Sequence, residues 1–235
     1  MISQSCGVRE GQMLSTQGIS SASRQTGVDL ARDTVRNMIL RGEITAGRRL
    51  TLTEVADRIG TSVTPVREAL RDLAATGLVD VDAHKGARVH APTARELTEI
   101  YALREMLEVR AMGEVAGLEE EDRVVAAIMA GKVATQMDAE KDVANWAALA
   151  VDFHGHLTEP LRESWPLLYC LVESLRNRSM LPVATALRAK PALMQQANRD
   201  HRKLVAAIRA GDRDGAERVT TEHLARTLKV LLKSY

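Results

Sequence analysis

The sequence predicts a mainly α chain, with an N-terminal winged helix-turn-helix followed by a C-terminal all-α helical bundle. Three observations predict it. Aromatic residues make up 3% of the 235 positions, with a single Phe, so the core must come from Leu, Val, Ala, Ile and Met, which favours helices over sheet. Between residues 28 and 91, short helical patterns separated by a tight turn give way to a hairpin pattern. Beyond Pro92 the apolar period stays helical almost to the end, with no strand pattern. The length exceeds the roughly 100–150 residues usual for one domain, so two cores are expected.

Residues 1–27, rich in Ser, Gln and Gly, read as a disordered tail. They lack the long apolar core of a secretory signal, and no stretch of the chain approaches the ~20 apolar residues of a membrane span. The expected location is the cytoplasm, with no membrane partner. Two cysteines, Cys6 in the tail and Cys170 in an apolar run, make no disulfide framework, and Cys170 is expected to be a small buried hydrophobe.

From Val28, residues Leu30, Val35, Met38, Ile39 and Ile44 form the apolar stripe of a first helix closed by Gly42. After a turn at Ala46-Gly47, Thr53 is the candidate cap of a short helix, EVADRIG, ended by Gly60. Ser62 or Thr64 then precedes Pro65, which suits the first turn of a helix, PVREALRDLAATG, with Val66, Leu70 and Leu73 on one side. The stretch from Leu78 to Val89, broken by His84-Lys85-Gly86, reads as a two-stranded hairpin. Residues 28–91 compose the winged domain, and residues 92–235 hold six or seven helices, with Gly113 inside a long one and Pro160, Pro166, Pro182 and Pro191 among the interruptions.

A helix-turn-helix sends the start of its second helix to base edges, while flanking donors fix phosphates. That start is Thr61-Ser62-Val63-Thr64-Pro65-Val66-Arg67, in which two hydroxyls and a forked guanidinium are suitable donors. Arg71 lies one turn on, and Lys85-Gly86 suits a wing tip lying against the DNA backbone or minor groove. The bland alternative is that Arg67 and Arg71 pair with nearby acids such as Glu68 and Asp72 on a solvated face. The formal net charge of +1 does not decide between these readings.

The stretch ITAGRRLTLTEVADRIGTSVTPVREALRDLAATGLVDVDAHKGARV resembles the N-terminal domain of the GntR family of regulators. The helical segment C-terminal to it resembles the FadR-type ligand domain, FCD: LREMLEVRA is similar to its opening arginine-and-LE motif, and DHRKLVAAIRAGDRDGAERVTTEHL to its closing one. The resemblance spans about residues 28 to 233. It implies a homodimer on a palindromic operator, most simply a repressor of a metabolic operon, whose DNA affinity answers to a small organic acid. Carried over by position, the implied DNA contacts are Thr53, Ser62, Thr64, Arg67, Lys85 and Gly86. Val63 departs from the pattern, because family members usually carry Arg there.

Four of the six histidines, His154, His156, His201 and His223, fall in the helical part, and neutral imidazole is a common ligand for zinc or nickel. The resemblance implies a divalent metal held by an Asp and a His four apart on one helix together with two later His. His201 and His223 fit the later pair. For the earlier pair two registers stand open. Asp152 with His156 completes four groups, whereas Phe153-His154 with Leu157 fits the family pattern and leaves Ala150 at the Asp position. A metal-free polar pocket lined by these histidines is the further alternative.

Three His and a carboxylate could also activate water, which makes a metal-dependent hydrolase a rival reading, but no paired general base and nucleophile accompanies them. A dimeric scaffold with a decayed DNA reader is the other rival, suggested by Val63. With few aromatics, a small polar acid is expected as effector rather than a long acyl chain.

Overall fold

A computed structural model describes residues 17–82 and 86–234. Helix α1 (Gln17–Leu40) leads into strand β1 (Arg49–Leu50), then α2 (Leu52–Ile59), α3 (Val63–Ala75) and the hairpin strands β2 (Val79–Asp82) and β3 (Gly86–Val89). The sheet is antiparallel in the order β1-β3-β2, with Leu50 opposite Ala87 and Val79 opposite Val89. Seven helices follow among the described residues: α4 (Ala94–Ala116), α5 (Glu120–Ala139), α6 (Val143–Thr158), α7 (Leu161–Ser164), α8 (Pro166–Ala189), α9 (Ala192–Ala210) and α10 (Arg213–Leu231), with a 3-10 turn at Leu232–Ser234. The mainly α class and the two-part architecture are as the sequence predicts.

Helix α1 starts at Gln17, inside the stretch read as tail. No proline interrupts residues 17–27, and a nucleated helix extends at little further cost. The buried stripe of α1 is Val28, Ala31, Val35, Met38 and Ile39, while Leu30 is 62% exposed. Spacing explains the correction, because 28, 31, 35, 38 and 39 keep one face and 30 does not.

The cap of α2 is also corrected. Thr51, not Thr53, accepts the Glu54 backbone N–H at 3.2 Å, so Thr53 lies within the first turn and is exposed. Glu54 three residues on from Thr51 has capping-box spacing. Gly60 ends this helix in the left-handed region at φ 77°.

Pro182 sits inside α8 rather than interrupting it. The cost of its missing N–H is offset by burial, since both Leu181 and Pro182 are enclosed. Cys170 is exposed on the same helix, contrary to expectation. The α8 face that enters the core instead carries Val172, Arg176 and Ser179.

Two cores result. Val35, Ile39, Leu50, Val55, Val66, Leu70, Leu73, Val79 and Val89 close the winged part, and Leu181 of α8 belongs to the same cluster. Met112, Val115, Met137, Trp146, Phe153, Leu157, Leu161 and Ile208 close the helical part. Where the two meet, Leu40 of α1 packs with Ala147 of α6 and Ala184 of α8, and Arg188 donates to the Leu40 carbonyl. His90, on the connection between the parts, lies between carboxylates, with Nδ1 3.0 Å from Asp80 and Nε2 3.2 Å from Glu96.

Candidate DNA interface and ligand centre

Helix α3 presents its N-terminus to solvent. Ser62 is the N-cap residue, yet its hydroxyl makes no capping bond, and Ser62 and Thr64 are both exposed. Arg67 and Arg71 are exposed and form no ion pair among the described residues, with Glu68 and Asp72 or otherwise, so both guanidinia stand on a solvated face. Val63 is half-buried against the winged core beside Leu52 and Ile59. The position therefore supplies packing here, not a donor.

Gly86 occupies φ 96°, and a Cβ added there would collide with the Leu50 carbonyl oxygen. The β1–β3 approach alone requires glycine at this position. Lys85 and His84 lie outside the described residues.

In the helical part, the structure brings together His154 of α6, His201 of α9 and His223 of α10, each with a ring nitrogen within 4.8 Å of the others. Phe153 and Leu157 are fully buried, and this fixes the α6 register that turns His154 into the cluster. Asp152 and His156 do not join it. Asp152 is exposed and exerts its charge on the half-buried Arg36 of α1.

His154 Nδ1 and both nitrogens of His201 are buried without a hydrogen-bond partner. Burial, with the nearby Arg176 charge, pushes His154 well below the ordinary imidazole range; burial and His223 do the same to His201. Both rings are therefore neutral donors. The His201 ring stacks on Phe153 at 4.4 Å and lies 6.0 Å from Trp146, so its position is set by packing. His223 Nδ1 lies 3.4 Å from Asp200 Oδ2, and Arg226 Nη2 holds the other oxygen of Asp200 at 2.9 Å. This carboxylate orients the imidazole and leaves its second nitrogen to the cluster. A void of about 10 Å³ touches all three histidines, the space of a single small species.

Three imidazole nitrogens, two of them on rings with buried atoms otherwise left unsatisfied, fit a divalent ion such as zinc. Without a guest, each buried unpartnered nitrogen costs about 1–3 kcal/mol.

The same three histidines form part of the wall of a larger cavity of about 300 Å³ between α4, α6, α8, α9 and α10. Tyr101 and Trp146 also line it, a contribution that the low aromatic content did not suggest. Beside it Glu108 is buried between two guanidinia, 2.5 Å from Arg104 Nε and 3.1 Å from Arg176 Nε. Burial alone raises the pKa of Glu108, and the two arginines outweigh it, so the carboxyl stays below its usual range. Arg104 and Glu108 are the Arg and the Glu of the opening motif, one helical turn apart, and Asp200 is the first residue of the closing motif, beside His201; Arg176 and Tyr101 carried no comparable signal in the sequence.

Residues 29–89 match the family described as bacterial regulatory proteins, gntR family, and residues 99–226 match the FCD domain. The chain belongs to the GntR family. It is a DNA-binding transcription regulator with an FCD ligand domain, and the family and its relatives are regulators rather than enzymes, which removes the hydrolase reading.

A probable D-xylose utilization operon transcriptional repressor of Paenarthrobacter nicotinovorans is 30% identical over 212 residues, covering 88% of this chain and 89% of the relative. A gluconate operon transcriptional repressor of Bacillus licheniformis is 27% identical, covering 80% and 78%. Among solved structures, Escherichia coli McbR/YncC superposes with a TM-score of 0.72 at 23% identity over 89% of this chain and 98% of that one, which shows a shared fold. No described helix is long and apolar enough to cross a membrane.

Proposed function

We propose that this GntR-family chain is a cytoplasmic, homodimeric repressor of a metabolic operon. Residues 28–91 grip one half of a palindromic operator, and residues 92–235 bind a small carboxylate beside a divalent ion, zinc or nickel. The relatives named as repressors of sugar-utilization and gluconate operons support the repressor reading. Ser62, Thr64 and Arg67, exposed at the start of α3, are placed as DNA donors, with Thr53 and Gly86 at the flanks. His154, His201 and His223 are the ion's ligands, and Asp200 orients His223. The ion, when bound, supplies a positive anchor for a carboxylate.

The observation that carries the regulatory reading is the double service of α8. Met180, Val183 and Leu187 line the cavity, while Leu181 belongs to the core of the winged part. Arg178 of the same helix crosses Gly77 at the end of α3, within 2.5 Å of where a Cβ would stand. A guest that shifts α8 therefore acts directly on the DNA-reading part, in addition to any route through the Ala91-Pro92-Thr93 connection. Pairing of two chains is supported by exposed Met106 of α4 and Leu167 and Leu171 of α8. Arg110 lies 5.7 Å above the Trp165 ring, which makes these stretches neighbours.

Selection of random-sequence duplexes by the purified protein tests this. The expected winner is a palindrome with half-sites about one DNA turn apart. Binding should weaken steeply with salt. Enrichment of no motif would return the chain to the scaffold reading. Elemental analysis tests the ion, which should be stoichiometric in the wild type and lost in His201→Ala.

A further inference from the structure

The walls of the large cavity and the charge of its anchor together restrict the guest. We infer that the site takes a monocarboxylic acid with a hydrocarbon body, its carboxylate at the three-histidine centre and its body between α6, α8 and α10. This rests on the ion-binding reading above and deepens it.

The first constraint is charge. The donor cluster contains three imidazoles and no carboxylate, so an ion held there keeps both of its positive charges and leaves coordination open. The acids nearest to it do not neutralise it. Glu108 and Asp200, which line the small void, are 2.5 Å from Arg104 and 2.9 Å from Arg226, and Glu173 further out is 3.0 Å from Arg176. Lys229, exposed in the cavity wall, forms no ion pair among the described residues and adds attraction for an anion. A neutral guest would leave this field unanswered.

The second constraint is solvation. Ala147, Val151, Met180, Val183, Leu187 and Val230 make up much of the wall. Ser179, Gln196 and Thr227, which also line it, already donate within the protein, to the Arg176 carbonyl, Asp200 and the His223 carbonyl respectively. Of the polar side chains in the wall other than the histidines, the Tyr101 hydroxyl, Asn177 and Lys229 remain uncommitted, so a polyhydroxy acid would bring more hydroxyls than these can satisfy, at about 1–3 kcal/mol for each one left over. A hydrocarbon body instead gains burial. The volume of about 300 Å³ lies at the low end for small-molecule sites, which sets the guest as a short-chain or single-ring acid. The expectation of a small polar acid is thus revised by the side chains that line the wall.

The test is a calorimetric titration of the full-length, zinc-loaded protein with hexanoate, gluconate and 1-hexanol, with zinc content measured on the same sample. Hexanoate should bind at least tenfold more tightly than either of the others. The half-buried Val183→Asn should lose hexanoate affinity by tenfold or more, with circular dichroism confirming an unchanged helix content. Gluconate equal to or tighter than hexanoate overturns the inference, as does 1-hexanol equal to hexanoate, or no binding by any probe. In those cases stoichiometric zinc and intact operator binding would leave the proposed function standing. Zinc absent from the loaded sample overturns the ion reading and this inference together.

Discussion

His223 presents Nδ1 to the Asp200 carboxylate at 3.4 Å, and Asp200 is in turn gripped by Arg226. Burial works against the charge on Asp200, and His223 and Arg226 overcome it, so the carboxyl is held below its usual range. The arrangement fixes which imidazole nitrogen is offered to the ligand centre. Asp200→Asn keeps the shape and removes the charge, and metal affinity should fall about 10–100-fold. Competition with a chelator reads this directly, and an unchanged affinity would remove Asp200 from the site.

Glu108 is enclosed with Arg104 and Arg176, and truncating its charge leaves the buried Arg104 uncompensated and Arg176 with Glu173 alone. Glu108→Gln should cost about 3–5 kcal/mol in urea unfolding at pH 7. The pH dependence has a definite sign. Because the folded pKa is depressed, the stabilisation is full above the ordinary carboxylate range and is lost as pH falls through the lowered folded value. Wild type and variant should therefore converge in acid, and a gap that persists at low pH would assign the loss to packing.

Much of this was legible in the sequence because repeated patterns carry it. The winged part follows from glycines and periodicity, and the motif at residues 103–111 contains Arg104 and Glu108 without marking them as a buried pair. The α6 register was not legible, because His154 and His156 are both helical positions beside apolar residues. Only the burial of Phe153 and Leu157 between neighbouring helices separates them. Leu30 misled for the reverse reason: hydrophobicity outranked Ala31 in the reading, while spacing decides in the fold. Cys170 misled because an apolar run on α8 includes residues left exposed, Leu167 and Leu171 among them.

Gly86 offers a clean separation of fold from recognition. At φ 96° a side chain is strained, and its Cβ would collide with backbone rather than with a flexible side chain. Gly86→Ala should destabilise the protein by about 1–3 kcal/mol even without DNA. Thermal unfolding of the free protein measures it, and a wild-type midpoint would mean that the β1–β3 approach relaxes easily.

Arg67 stands exposed one turn into α3 with no ion-pair partner among the described residues. Arg67→Ala should leave stability within about 0.5 kcal/mol of wild type, as for other surface changes. Operator affinity should fall by about 1–3 kcal/mol if the guanidinium reads a base. A phosphate contact would instead weaken all sequences alike and reduce the salt slope by about one. Fluorescence anisotropy across a salt series on matched and mutated operators distinguishes these cases. No change on either DNA would place the recognition surface elsewhere.

Leu181 lies in the winged core although its helix belongs to the bundle, so it is the point at which the two parts share a side chain. Leu181→Ala should cost about 2–5 kcal/mol, as for other buried leucines. The distinctive expectation concerns linkage. If α8 carries the signal, zinc changes operator affinity in the wild type by some factor, and operator changes zinc affinity by the same factor. In Leu181→Ala that factor should shrink towards one while zinc still binds and the bundle keeps its helix content. The milder Leu181→Met, which preserves volume, should retain most of the coupling. A full coupling factor in Leu181→Ala would move the signal to the other ties between the two parts, the Ala91-Pro92-Thr93 connection with His90 between Asp80 and Glu96, or the packing of Leu40 on Ala147 and Ala184.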